Sequence, residues 1–176
     1  MRPFASRALL AAVVLLAYLP SLRNGFVWDD QYMVVDNPAI RSLTHVADYF
    51  TDATTAASID TFGFYRPLQV VVFALEYQLW GLRAAGYHAV NLLLHMGAVL
   101  VLFGLLVRLG IARACAFVAA ALFGVHAAPC EAVLWIKGLP DVLVSLLFLA
   151  AFGFYVDDGE ENGRRTVAFA LFVLAL

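Results

Sequence analysis

Charge is scarce in this chain. Asp, Glu, Lys and Arg together make up 14% of its 176 residues, while 64% are hydrophobic and the mean hydropathy is +0.87. A soluble domain is nearer a quarter charged and half apolar. Composition therefore points to an all-α protein that crosses a membrane several times. The formal net charge of -2 leaves no basic excess for nucleic acid. Signatures are lacking too. There is no GxxxxGK[ST] or GxGxxG, no GxSxG and no HExxH, so an ATP-driven pump, a serine hydrolase and a zinc protease go without their motifs. No Asn-x-Ser/Thr sequon and no solenoid repeat is present. Cysteine is limited to Cys115 and Cys130. On one continuous helix these would lie roughly 22 Å apart, far beyond the ~7 Å Cα separation a disulfide tolerates. No intrachain bridge is expected.

What the chain has in abundance is long apolar runs. A spanning helix needs about 20 largely apolar residues. Windows at about 4–22, 87–107, 114–130 and 141–156 qualify or nearly so, and a fifth begins near 166 and is incomplete at 176. That incomplete run suggests a fragment of a longer membrane domain. The first window follows Arg2 and Arg7 and reads as a retained signal anchor. The stretch "RPLQVVVFALEYQLWG" at 66–81 is apolar but short, and it holds Glu76. If it lies along the interface, Arg2, Arg7, Arg108, Arg113, Arg164 and Arg165 share one side in short segments, as the positive-inside rule favours. Residues 23–86 then form a long extracytoplasmic loop, and Asp29, Asp30, His126, Glu131, Lys137 and Asp141 can converge at one membrane face. The polar stretch "DDGEENGRR" at 157–165 reads as a solvated turn.

Two adjacent carboxylates, Asp29 and Asp30, follow the first window in "NGFVWDDQYMVVDNPAI". Charge beside a membrane is costly and is often retained for function. The plainer alternative is a solvated loop start or a helix N-cap. His88, Asn91 and His95 fall at i, i+3 and i+7, on one helix face that should turn inward. Two turns, about 10.5 Å, separate the histidines, too far to share a zinc ion. The segment "HAAPCEAVLWIKGLPD" at 126–141 mixes His126, Glu131, Lys137 and Asp141 with Pro and Gly. It reads either as a functional loop or as an ordinary hairpin between helices.

These segments, with "FYRPLQVVVFALEYQLWG" and "GYHAVNLLLH", occur in an order that resembles the N-terminal part of the GT-C superfamily glycosyltransferases. The nearest group is the transmembrane and tetratricopeptide-repeat-containing O-mannosyltransferase-like proteins and their bacterial relatives. The resemblance runs over roughly 10–151. It implies a GT-C-like helical bundle, with interfacial helices in the first extracytoplasmic loop, further membrane helices and a repeat domain downstream. It also implies transfer of a sugar, mannose among the options, from a polyprenyl-phosphate carrier to an acceptor hydroxyl of a protein or glycan. The bilayer holds the carrier. The active face would be periplasmic on a bacterial inner membrane or lumenal at the ER. Asp29 and Asp30 match the family's acidic pair and are the candidate catalytic residues. One would act as base and the other would orient it, and the sequence does not rank them. Arg66, His88, His126 and Glu131 are candidate substrate contacts. Asp29, Asp30 and Glu131 also suit a divalent cation, although no ligand spacing demands one. The chain departs from the family's usual His-Pro-x-His/Asn-x-Glu at Ala127 and Pro129, and from a basic residue at Leu139. These departures fit a non-catalytic membrane anchor or assembly protein. A transporter of lipid-linked substrates is a further class, for which the sequence offers only Asn91 and His95 at depth and no inverted repeat.

Overall fold

The computed structural model describes residues 3–56, 65–156 and 162–175. Among them there are helices and no strands. The first apolar run forms α1, Pro3–Tyr18, continued by a 3-10 turn at Leu19–Arg23 that opens on Pro20. Proline lacks the N–H a helix interior needs but is tolerated in a first turn. α2 is Pro67–Trp80, α3 is Ala84–Arg108, and α4 is Arg113–Val125. α5 is Cys130–Leu134, α6 is Leu139–Val156, and α7 is Asn162–Ala175.

Three segments are long and apolar enough to cross a membrane: Phe4–Arg23, Ala84–Arg108 and Ile136–Val156. α3 is the central post, packing against α6, α4 and α1, while α7 lies along α6. In lipid, helices associate by close packing and hydrogen bonds rather than by the hydrophobic effect, and the contacts reflect this. A Cβ added at Gly124 would lie 2.9 Å from Val14 and 3.2 Å from Val99, so the missing side chain lets α4 settle against α1 and α3. Leu16, Leu93, Leu122 and Phe148 point outward and are exposed, as lipid-facing residues would be. The inward face of α3 carries His88, Asn91 and His95, each only 1% exposed. His95 Nε2 lies 2.9 Å from the Gly124 carbonyl, and Asn91 Nδ2 donates to the Trp135 carbonyl at 2.8 Å.

The structure differs from the sequence reading at the third apolar window. The helix expected over 114–130 stops at Val125, and His126 is extended (φ -65°, ψ 149°). A separate short helix then begins at Cys130. Pro129 explains the break, because it has no N–H for the Val125 carbonyl four residues back and its ring would clash with that carbonyl. Cys115 and Cys130 consequently sit on different helices, both as free thiols.

α2 has 14 residues, about 21 Å of helix, short of the ~30 Å hydrocarbon core. It packs on the small helical turns of the first loop, burying Ile40, Tyr49, Val70 and Phe73. Arg41 sits 4.4 Å above the Tyr77 ring. The Asn37 side chain accepts from Ala39 N–H at 2.9 Å and starts the 3-10 turn Ala39–Arg41. The loop thus forms a folded layer on one end of the bundle. Glu76 of α2 is 3% exposed, and neither carboxylate oxygen has a hydrogen-bond partner among the described residues. Burial pushes its carboxyl up to about 9.

Candidate functional site at the loop end of the bundle

The first loop and the hairpin between α5 and α6 meet at the acid pair. After α1 the chain turns back on itself at Val27–Asp30, with Asp30 N–H donating to the Val27 carbonyl at 3.0 Å. Trp28 lies inside that turn at φ 48°. A bulky residue in the left-handed region is strained, at a cost of order 1–3 kcal/mol. Its ring is 77% exposed and meets Trp135 edge-to-face at 5.6 Å. Strain is thus held one residue before the carboxylates, by a contact with the second hairpin.

Asp29 and Asp30 face different surroundings, which the sequence could not reveal. Asp30 is completely buried. Its Oδ2 accepts from Val27 N–H at 2.9 Å, and its Oδ1 accepts from Lys137 N–H at 3.0 Å. One carboxylate therefore ties the loop to a residue 107 positions away. Burial raises its carboxyl to about 6, against the opposing pull of the two N–H donors, and the neighbouring Asp29 charge adds to the rise. It does not act as the N-cap the sequence allowed, since no side-chain capping bond is made to the turn Gln31–Val35. Asp29 is about a quarter exposed and forms an ion pair with the Lys137 ammonium, itself 23% exposed. Lys137 Nζ also lies 4.8 Å from the centre of the Trp135 ring.

Three features hold Lys137 in place. Asn91 of α3 bonds to the Trp135 carbonyl. The Trp135 indole N–H reaches the Val27 carbonyl at 3.4 Å. Gly138 passes so close to α5 that an added Cβ would lie 2.3 Å from the Ala132 carbonyl oxygen. Lys137, Trp135 and Gly138 are thus part of the site, although "WIKG" alone reads as an unremarkable hairpin. The informative signal was a basic residue among apolar ones beside a Pro and a Gly.

The other candidates are placed around this junction rather than in it. Glu131 is exposed, on the short helix that leads to Trp135. His126 is exposed, and its Nδ1 accepts from Ala128 N–H at 3.1 Å. Arg66 is half-buried at the N-terminus of α2. His88 is sealed inside the bundle at 1% exposure, beside the Gly25 backbone. No set of three His, Cys, Asp or Glu side chains is gathered for a metal ion among the described residues. The carboxylate set Asp29, Asp30 and Glu131 does not fit one, because Asp30 spends both oxygens on backbone N–H groups and Asp29 is paired with Lys137.

The chain is 40% identical over 161 residues to protein O-mannosyl-transferase TMTC1 of Mus musculus, a match covering 85% of this chain and 16% of that protein. It is 37% identical over 182 residues to the Homo sapiens TMTC1 protein, covering 99% of this chain and 21% of the other. Against protein O-mannosyl-transferase Tmtc3 of Drosophila melanogaster it is 33% identical over 188 residues, covering 93% of this chain and 20% of the other. The chain is a relative of the protein O-mannosyl-transferases. The similarity takes in nearly all of its length, the acid pair and the Lys137 hairpin included, but the chain spans only about a fifth of the length of these O-mannosyl-transferases. No family model matches it, and no solved structure matches it.

Proposed function

We propose that the chain supplies the acid–lysine face of a membrane glycosyltransferase. In this reading a sugar, mannose by the names of the relatives, passes from a polyprenyl-phosphate carrier to a hydroxyl of a protein or glycan acceptor at the extracytoplasmic face. The observation that carries the proposal is the joining of Asp29, Asp30 and Lys137 at one end of the bundle. The similarity to O-mannosyl-transferases supports the same reading.

The chemistry assigns the two carboxylates separate tasks. Asp29 is the accessible one and is the candidate base. It takes the proton of the acceptor hydroxyl as the acceptor oxygen bonds to the anomeric carbon. The bond from that carbon to the phosphate oxygen breaks, and the phosphate leaves with the electron pair. A positioned carboxylate contributes about 10²–10⁴-fold in this role. Asp30, sealed and doubly bonded, is a positioning residue that fixes Asp29 against the second hairpin. The Lys137 ammonium is suited to the charge that grows on the leaving phosphate, and Arg66 is a further cation for it. The buried His88 is a weaker phosphate contact than the sequence alone suggested. Exposed His126 and Glu131 suit the sugar hydroxyls or the acceptor. A membrane interface fits such a reaction because the lipid tail of the carrier stays in the bilayer while the sugar meets water.

The test is transfer from purified polyprenyl-phosphate mannose to an acceptor peptide by the purified complete gene product, compared with a nucleotide-activated mannose. Transfer from the lipid donor alone is the expected result. Transfer from the nucleotide sugar alone, or from neither, would overturn the reading.

A further inference from the structure

An exposed aromatic ring stands beside the acid pair at a position where the fold gains little from it. Trp28 is 77% exposed, and its backbone is left-handed at φ 48°. That conformation suits Gly, Asn or Asp and disfavours a bulky side chain. The edge-to-face contact with Trp135, at 5.6 Å, offsets only part of the strain. A pair of rings contributes about half of what such a backbone costs, and a ring this open adds little by burial. An aromatic that only anchors the chain at a membrane surface has no need of a strained turn. Tyr32, 40% exposed on the same loop with no positive φ, shows that such a residue can be placed there without one.

The position of Trp28 makes sense in terms of its neighbours. Its ring meets Trp135, the Lys137 ammonium lies 4.8 Å from the centre of the Trp135 ring, and Lys137 is paired with Asp29. Ring, cation and carboxylate form one contiguous cluster, with Trp28 its most open member. A hexose carries a face of C–H bonds that packs on the electron-rich face of an aromatic ring, while its hydroxyls stay in water at the rim. We propose that Trp28 is the platform for the sugar of the donor, with the anomeric phosphate toward Lys137 and the acceptor hydroxyl toward Asp29. The inference rests on the transferase reading above. It adds the residue that tells a sugar-loaded carrier from the bare lipid phosphate left after transfer.

The experiment is isothermal titration of the purified complete gene product, without acceptor, with citronellyl-phosphate mannose and with citronellyl phosphate. The wild type should bind the mannosyl compound about three- to tenfold more tightly, the size of a well-formed aromatic contact. Trp28→Gly relieves the strained turn and so keeps the fold. It should lose that advantage and bind both compounds alike, whereas Trp28→Tyr should keep most of it. Saturation of the aromatic protons should transfer to the mannose C–H protons in the wild type and in Trp28→Tyr, and should weaken in Trp28→Gly. An undiminished preference for the mannosyl compound in Trp28→Gly would overturn the proposal and leave the transferase reading intact. Equal weakening of both compounds in that variant would also overturn it, marking Trp28 as a prop for Lys137 or a lipid anchor. Binding of neither compound by the wild type would instead overturn the transferase reading, and the proposal with it.

Discussion

Replacing Asp30 by Asn separates the two carboxylates in a way that activity alone cannot. Asp30 is fully buried, and its oxygens accept from Val27 N–H at 2.9 Å and Lys137 N–H at 3.0 Å. Asn has one acceptor oxygen, and its amide would turn an N–H donor toward one of those two N–H groups. One buried backbone donor is left unpaired, at a cost of about 1–3 kcal/mol. The surviving bond also loses its charge assistance. Burial disfavours the charge that Asn removes and offsets part of this, so the net loss should fall near the lower end of that range. Asp30→Ala empties both positions and should cost more. Asp29→Asn, by contrast, removes a partly exposed ion pair with Lys137, worth about 0–1 kcal/mol. The assay is thermal unfolding of each purified variant in one detergent at pH 7.5. The expected order of melting temperatures is wild type close to Asp29→Asn, then Asp30→Asn, then Asp30→Ala. If Asp29→Asn melts lowest, or if Asp30→Ala melts with wild type, Asp30 does not join the loop to the hairpin as argued.

Three further outcomes follow from single residues. Glu76 in the fold has its carboxyl raised to about 9, above its ordinary unfolded value of about 4.3. The folded chain therefore holds a proton that the unfolded chain releases, and stability should fall as pH rises between those values. Glu76→Gln should flatten that dependence and hold or raise the melting temperature at pH 8, and a marked drop there would mean the group is ionised and paired. Gly138→Ala drives a Cβ to 2.3 Å from the Ala132 carbonyl oxygen, so it should cost about 1–3 kcal/mol as overpacking does. An unchanged melting temperature would contradict that close approach. Because Trp28 sits at φ 48°, Trp28→Gly should be more stable than Trp28→Ala by about 0.5–1 kcal/mol, the preference for Gly at positive φ. The reverse order would show an unstrained turn.

The helical skeleton was legible because apolar runs report the bilayer directly. The inward face of α3 was legible because His88, Asn91 and His95 repeat at helical spacing, and all three are buried. The sequence left the Glu-bearing stretch 66–81 open between an interfacial helix and a span, and the helix it forms has 14 residues, short of the hydrocarbon core. The break after Val125 was missed, although Pro129 was the available cue. What could not be read was anything set by distant parts of the chain. Nothing in "VWDD" distinguishes its two aspartates, because the difference is made by Lys137, 107 residues beyond Asp30. The left-handed Trp28 carries no local mark either, since such a position ordinarily calls for Gly, Asn or Asp. It is held by Trp135 across the same long separation.

The most direct measurement is the rate of mannose transfer from the polyprenyl-phosphate donor by the complete gene product carrying Asp29→Asn, at equal membrane insertion. Loss of the candidate base predicts a fall of about 10²–10⁴-fold with the melting temperature nearly unchanged. A wild-type rate in that variant would contradict the assignment of Asp29.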